Sequence, residues 1–263
     1  MAKDLQESTT SSGTVARVAL LLRVLAEADG PLGLSDVAAR MALPPSTTHR
    51  LLALLAEQGF VERGAGGRTY GVGLEFFRIA GLVSSRAQVT EIAGGFMQAV
   101  VDGCDETCML SLRDAGELDF MIAKVVYGSH PLRYEVALFR RSPLLWGAPG
   151  RGILAFLPDE VQQRALERER AQPARGKARP LARIPQELAQ VRSQGYAMTR
   201  GQNVAGAVGL SAPVRDASGV IGALCVTIPE SRFDEKALPR LTRLLKGQAA
   251  ALSHALGAGP AQA

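Results

Sequence analysis

The stretch 43–70 constrains the fold more than any other part of this sequence, because a short helix with a polar first turn is followed there by a glycine-rich hairpin. Pro44 and Pro45 favour a helix that begins at or near Pro45, since proline lacks the N–H that a first turn leaves unpaired. At helical spacing this segment has one face that can pack against a core and one polar face. The packing face comprises Thr48, Leu51, Leu52 and Leu55, and the other comprises Ser46, His49, Arg50 and Ala53.

A tight hairpin follows this helix, and two more helices are predicted before it. Phe60–Arg63 and Arg68–Tyr70 have the composition of paired strands, and the glycine-rich residues 64–67 supply the conformational freedom of a turn. Helical spacing of apolar residues predicts the earlier helices at 14–28 and 36–41. Three helices and a hairpin in this order predict a winged helix-turn-helix, which places a helix in the DNA major groove. The alternative is a small helix and hairpin within a larger core.

The polar face of the helix and the two ends of the hairpin turn supply the candidate DNA contacts. Arg50 is the strongest candidate for reading a base, because a guanidinium can bond a guanine edge through two N–H groups. Two arginines flank the hairpin turn and are placed to contact phosphates. The expected DNA-binding residues are Ser46, Thr47, His49 and Arg50 of the helix and Arg63 and Arg68 of the hairpin.

Two sets of motifs resemble those of the IclR (isocitrate-lyase-regulator) family of bacterial transcription regulators. They comprise Leu43–Thr47, His49–Leu52, Leu55, Gly59–Val61 and Tyr70–Gly73, and then Gly195-Tyr196 through Pro229. The resemblance covers nearly the whole chain beyond the first dozen residues. It implies a homodimer or dimer of dimers that binds double-stranded operator DNA and a small-molecule effector. It also implies an α+β chain with a winged helix-turn-helix domain, a connecting helix and a GAF-like sheet-and-helix domain.

The chain has 263 residues, enough for two small domains. We expect a disordered tail at 1–13, the winged domain with the start of a connector at 14–81, and the connector helix with the effector-binding domain at 82–263. The first residues lack the apolar run of a secretory signal, and three cysteines cannot form a fully paired framework. No apolar run approaches the ~18 residues of a membrane span. These features predict a cytoplasmic protein with reduced thiols and no membrane contact.

The positive charge of the chain is not concentrated in the DNA-binding motif. The net charge is +5, but residues 1–81 hold eight basic and eight acidic side chains. Residues 161–200 hold nine basic against three acidic side chains and carry the excess, as expected for a solvated arginine-rich helix and loop. DNA binding is therefore predicted from local geometry rather than from net charge.

From Thr107 onward the pattern changes to strands and turns, and later to helices. Apolar alternation predicts strands in MLSLRD, DFMIAKVVY, LRYEVALF (132–139), 206–213 and 220–228. Residues 152–157 are predicted to form the beginning of one helix, and two further helices are predicted at 184–195 and 233–256. An antiparallel sheet flanked by helices is α+β.

A glycine-rich segment at 147–152 precedes one of these predicted helices. It is not a P-loop, and its residues alone favour an ordinary turn, although free N–H groups at a helix start favour a carboxylate or phosphate. The family resemblance implies an effector pocket built from Ala148, Pro149 and Gly150 of this loop and from Gly209, Cys225 and Thr227 of later strands. Leu132 and Tyr134 offer apolar lining nearby, together with Trp146. We therefore expect a small, carboxylic acid effector.

Gln202 departs from the family pattern, which commonly has Gly-Glu where this chain has Gly201-Gln202. The resemblance therefore implies that either an ionic contact or an acidic pocket wall of the family is missing here. An uncharged amide tolerates an anionic ligand better than a carboxylate would.

Other kinds of function have weaker support in the sequence. There is no G-x-S-x-G elbow, and Cys104 and Cys108 with His130 fall short of the four ligands of structural zinc. We therefore predict a protein that is not an enzyme and holds no cofactor or metal. Two alternatives remain open, namely a thiol-based redox regulator acting through Cys225 and a sensor or enzyme domain whose winged head contacts protein.

Overall fold

The computed structural model describes residues 13–64, 66–84, 88–114, 116, 118–173 and 181–258 of the chain. They form two compact units, one before residue 88 and one from residue 88 onward. The tail predicted at 1–13 lies, apart from Gly13, outside the described residues. Within the described part of the chain, no helix combines the length and the apolar character that crossing a bilayer requires.

The first unit is a winged helix-turn-helix, as predicted. Its elements are α1 Thr14–Ala26, β1 Leu32–Gly33, α2 Leu34–Met41, α3 Pro45–Glu57, β2 Val61–Arg63, β3 Thr69–Val72 and α4 Leu74–Ser84. The helices enclose a core that includes Leu21, Val37, Leu52 and Tyr70. The strands form an antiparallel sheet in the order β1-β3-β2.

Two local details of this unit differ from the sequence prediction. Strand β1 was missed because it has only two residues, too few for an alternating pattern. The helix predicted at 36–41 begins at Leu34, after Gly33. Helix α3 begins at Pro45, which confirms the predicted start of the reading helix.

The second unit is a six-stranded antiparallel sheet with helices on both faces, which confirms the α+β class. Its strands are β4 Thr107–Arg113, β5 Asp119–Val126, β6 Arg141–Pro143, β7 Ala197–Arg200, β8 Ala207–Asp216 and β9 Gly219–Pro229. Its helices are α5 Gln88–Cys104, α6 Gly147–Leu154, α7 Asp159–Ala171, α8 Ile184–Gln194 and α9 Leu238–Ala255. The strands lie in the order β6-β5-β4-β9-β8-β7.

Alternation along the central strand β9 divides the apolar residues between two cores. Ala223 and Cys225 point to the face covered by α6, α7 and α8. Leu224 and Val226 point to the face covered by α5 and α9. Because β9 is buried on both faces, it reads as a continuous apolar run rather than as an alternating strand.

Two predictions for this unit are wrong, and one strand was not predicted. Residues 132–139 form no strand, and the edge strand β6 follows them instead. Phe139 adopts a left-handed φ of 59°, which a regular strand does not allow. Strand β7 was missed, and the helix predicted to start at 152–157 begins at Gly147, so that the glycine-rich segment is its first turn.

A close backbone approach at Gly73 gives a test of the first unit. An added Cβ at Gly73 would overlap the carbonyl oxygen of Gly59, so Gly73→Ala must displace backbone and should cost about 1–3 kcal/mol of unfolding free energy. Gly81 in α4 has open space around it, and Gly81→Ala should be neutral or stabilising by about 0.5–1 kcal/mol. Urea unfolding followed by circular dichroism measures both. Equal stability of the two variants would contradict this packing.

Candidate functional site

The exposed face of α3 carries the polar residues predicted to contact DNA. Ser46, His49 and Arg50 are exposed, and Thr47 is half-buried. The opposite face is anchored in the core, because Thr48, Leu51 and Leu52 are buried there. The helix therefore presents a polar surface while its apolar surface holds it in place.

The hairpin between β2 and β3 carries two exposed arginines near its turn. Arg63 pairs with Tyr70 across the strands, and its guanidinium carbon lies 6.0 Å from the centre of the Tyr70 ring. The N–H of Gly64 donates to the carbonyl of Thr69 at 2.9 Å, which closes the turn. Arg63 and Arg68 are both exposed. This geometry is suited to contacts with a phosphate backbone.

A cavity of about 360 Å³ opens in the second unit, on the face of the sheet that α6 covers. A volume of this size is typical of small-molecule sites. Its apolar wall is formed by Met109, Phe120, Ile122, Val136, Ala137, Val204 and Ala207. Its other lining residues are Tyr134, Glu135, Arg140, Arg141, Ser142, Gly147, Ala148, Pro149, Thr199, Gln202, Asn203, Gly209 and Thr227.

The first turn of α6 forms one end of this cavity. Gly147 has a φ of 70°, and together with Ala148 and Pro149 it lines the cavity. Gly147 and Ala148 belong to the first turn, whose N–H groups have no carbonyl partner within the helix. Pro149 has no N–H group. Backbone donors and the positive end of the helix dipole therefore lie beside the cavity.

The irregular segment 129–140 forms another wall and is fastened to the body of the unit by polar contacts. The Tyr134 hydroxyl donates to the carbonyl of Gly206 at 2.8 Å. A guanidinium N–H of Arg232 donates to the carbonyl of Leu132 at 2.9 Å, and the same guanidinium forms an ion pair with Glu106 at 2.7 Å. The Glu106 carboxylate raises the pKa of Arg232.

A further contact fixes the beginning of this segment. The Ser129 N–H and hydroxyl both donate to the Asp105 carboxylate at 2.7 Å and lower its pKa.

The structure brings five of the eight predicted effector residues to this cavity. These five are Ala148, Pro149, Gly209, Thr227 and Tyr134. The other three, Gly150, Cys225 and Leu132, do not line it. Gly150 packs against the backbone of Leu144, and Leu132 is 69% exposed beside a neighbouring depression. Trp146 also lies outside the cavity, and its indole N–H donates to Glu169 at 3.2 Å.

The expectation that Cys225 faces the ligand does not match its position. Cys225 and Thr227 share a face of β9, as predicted, but Cys225 pairs with Ser211, which packs against Gly152 in the body of α6. Its thiol sulfur lies 3.6 Å from the Ser111 hydroxyl oxygen, and the residue is only 1% exposed. Burial raises the pKa of the Cys225 thiol to about 12. A thiol that stays protonated and is inaccessible to solvent reacts poorly with oxidants, so Cys225 is a poor candidate for a redox sensor.

Several cavity residues were not predicted from the sequence. Thr199 belongs to β7, the strand that was missed, and its pairing with Gly209 places it in line with Thr227. Met109 and Phe120 were assigned to strands but not to the site. Their position depends on which strands are neighbours in the sheet, which the order along the chain does not reveal.

Cys104, Cys108 and His130, which are too few for a structural zinc site, belong to no metal-binding cluster in the described part of the chain. No cluster of three or more His, Cys, Asp or Glu suited to a metal ion occurs there. The Cys104 thiol instead donates to the carbonyl of Val100 at 3.1 Å, and Cys108 is buried.

Comparisons with known proteins cover both units. Residues 14–65 match the family described as "IclR helix-turn-helix domain", and residues 82–254 match "Bacterial transcriptional regulator IclR C-terminal". The chain is 30% identical over 230 residues to the HTH-type transcriptional regulator KipR of Bacillus subtilis. That match covers 86% of this chain and 90% of KipR.

Two solved structures share the fold of the chain. An IclR transcriptional regulator from Silicibacter sp. TM1040 is 25% identical with a TM-score of 0.82, and the match covers 94% of this chain and 98% of that one. An IclR homologue from Microbacterium hydrocarbonoxydans, complexed with 4-hydroxybenzoate, is 23% identical with a TM-score of 0.76. The match covers 93% of this chain and 99% of that homologue.

The burial of Cys225 predicts its chemical reactivity. Because its pKa is about 12, the thiol stays protonated in the native protein at pH 8, and iodoacetamide should leave it unmodified. Cys104 is only partly buried and should react first, although burial also raises its pKa. Mass spectrometry of digested protein measures both. All three thiols should react in urea, and native labelling of Cys225 as fast as that of Cys104 would contradict the assigned burial.

Proposed function

Because the chain belongs to the IclR family of bacterial transcriptional regulators, we propose that it binds an operator through α3 and the β2–β3 hairpin and that a small organic acid adjusts this binding. The chain combines a helix-turn-helix DNA-binding domain with an effector-binding C-terminal domain. The observation that carries the proposal for the acid is the cavity beside the first turn of α6.

The lining of the cavity favours an acid with an apolar body. Phe120, Ile122 and Val136 provide an apolar wall, while backbone N–H groups at the start of α6 favour a carboxylate. Arg140 and Arg141 add positive charge to the rim, although Arg141 also pairs with Asp114 at 2.9 Å. No buried lysine is needed to hold the anion in this arrangement.

The solved homologue in complex with 4-hydroxybenzoate guides the choice of probes. That compound is an aromatic acid and is small enough for a cavity of about 360 Å³. At 23% identity the homologue shares the fold, so its ligand serves here as a first compound to test rather than as an assigned effector.

The proposal includes a homodimer or a dimer of dimers. One reading helix covers only one half-site of an operator, and a second copy doubles the number of base contacts. In the first unit, α4 exposes Leu74 by 79% and Phe77 by 64%, which supports an apolar contact with another copy. Light scattering of the purified chain measures the mass directly.

The alternative of a winged head that binds protein has no specific support in the cavity or in α3. A gel shift with the DNA upstream of the chain's own gene separates the two possibilities. A specific complex supports an operator, and its absence at every DNA sequence tested supports a protein partner. The relatives are transcriptional regulators, and we propose no enzymatic activity.

The exposed guanidinium of Arg50 gives the first test of DNA reading. If Arg50 bonds a base through two N–H groups, Arg50→Ala should weaken operator binding by about 1–3 kcal/mol while the fold survives. Arg78→Ala is the matched control, because Arg78 is exposed in the same unit but pairs with Glu75 at 2.6 Å. Fluorescence anisotropy with operator DNA measures both. Unchanged affinity of a folded Arg50→Ala protein would refute this role.

Substitutions of the two hairpin arginines should affect DNA affinity in a different way. Arg63→Ala and Arg68→Ala should weaken specific and random DNA alike, because phosphates carry no sequence information. Each loss of a phosphate contact should lower the slope of log K against log salt by about 1. Affinities at several salt concentrations test this, and a loss confined to the operator sequence would assign these residues to base reading instead.

The Thr227 hydroxyl tests the cavity. Thr227→Val keeps the shape of the side chain but removes one polar partner, and it should reduce the affinity of a bound acid by about 1–3 kcal/mol. Thr242→Val in α9, on the other side of the sheet, is the control, because the Thr242 hydroxyl donates to a carbonyl of its own helix at 2.9 Å. Calorimetry compares the variants. Equal affinities for wild type and Thr227→Val would place the ligand elsewhere.

A further inference from the structure

We infer that Gln202 selects ligands that carry a neutral hydrogen-bond donor, such as the hydroxyl of a hydroxy acid, in addition to the carboxylate. This inference rests on the proposed effector function of the cavity and adds the chemical class of the ligand. Its basis is the side-chain carbonyl of Gln202, which is buried in the cavity wall and has no hydrogen-bond partner among the described residues.

The backbone around Gln202 is held in a defined position. The turn between β7 and β8 is closed by the N–H of Gly201, which donates to the carbonyl of Ala207 at 2.8 Å. The next contact is at Gly206, whose carbonyl accepts from the Tyr134 hydroxyl and, at 2.7 Å, from the N–H of Glu230. The turn is therefore fastened at both ends, which fixes the backbone position of Gln202 beside the cavity.

A buried carbonyl oxygen without a partner is costly, since it has lost its water and gained nothing in exchange. The partner of the Gln202 oxygen must therefore come from whatever occupies the cavity. In the empty cavity this role falls to water, which donates a hydrogen bond. A ligand that displaces the water keeps the oxygen satisfied only if it brings a donor of its own.

Four other polar or charged side chains of the cavity do not impose this requirement. The Thr199 and Thr227 hydroxyls both donate and accept, so they adapt to either kind of ligand atom. The guanidinium of Arg140 only donates. Glu135 accepts, but it is exposed and remains hydrated. Gln202 thus presents a buried acceptor that a ligand can match.

Pairs of acids that differ by one hydroxyl test this selection. The probes are 2-, 3- and 4-hydroxybenzoate against benzoate, mandelate against phenylacetate, and lactate against propionate. The full-length wild-type chain should bind the hydroxylated member of at least one pair about tenfold or more tightly by calorimetry. Gln202→Met has a similar shape without the acceptor and should reduce that ratio to near one.

Two more variants separate selection from general damage. Gln202→Glu retains an acceptor, so it should preserve the ratio within a pair even where its charge weakens both acids. Gln190→Met, on an exposed position of α8, should leave the ratio unchanged. Without ligand, Gln202→Met should unfold at the same temperature as wild type or higher, because the oxygen that it removes is bonded to no other group of the fold.

Each result bears on the inference in a different way. Similar affinities within every pair, or a preference that persists in Gln202→Met, would overturn the role of Gln202 while leaving the acid effector in place. A marked fall in the unfolding temperature of ligand-free Gln202→Met would also overturn it, since the amide would then be bonded within the fold. If no acid binds at all, the acid effector itself is wrong, and the inference falls with it.

Discussion

The second unit depends on how closely α6 approaches the sheet. A side chain at Gly152 would overlap the Ser211 hydroxyl, and one at Gly209 would press on the methyl group of Ala148 at 3.1 Å. The Ser211 hydroxyl donates across this contact to the carbonyl of Ala148 at 2.6 Å. Because the helix lies so close, its body seals Cys225 inside the core while its first turn opens onto the cavity. The packing of α6 against the sheet therefore determines which residues are buried in the core and which line the cavity.

The first unit was predictable because its signals are local. Pro45 marks a helix start, and the spacing of Leu51 and Leu52 marks the buried face. The α+β class of the second unit also followed from its apolar runs. What could not be predicted was which strands are neighbours, since β4 pairs with β9 across more than 100 residues. The position of Met109 in the cavity wall depends on that pairing, while Thr199 lies on β7, which was not predicted as a strand.

The errors have physical causes as well. Residues 132–139 alternate like a strand, yet Val136 and Ala137 line the cavity, and three other apolar side chains of the segment are exposed, namely Leu132, Leu138 and Phe139. Cys225 shares a face with Thr227, and the alternation was read correctly. The sequence did not reveal which positions of β9 are covered by α6, because that depends on where the helix begins, at Gly147. The burial of the Gln202 side-chain oxygen in the cavity wall likewise depends on the fold of a turn that the sequence pattern does not specify.

The central claim is that the cavity and the reading helix belong to one regulatory equilibrium. A ligand changes DNA affinity only through its different affinities for the free and the DNA-bound protein, and the effect is reciprocal. The direct test titrates operator DNA with and without the tightest-binding acid of the hydroxylated pairs, and then titrates that acid with and without operator. The account predicts that both affinities change by the same factor and that this factor differs from one. An acid that binds in the cavity and leaves operator affinity unchanged would contradict it.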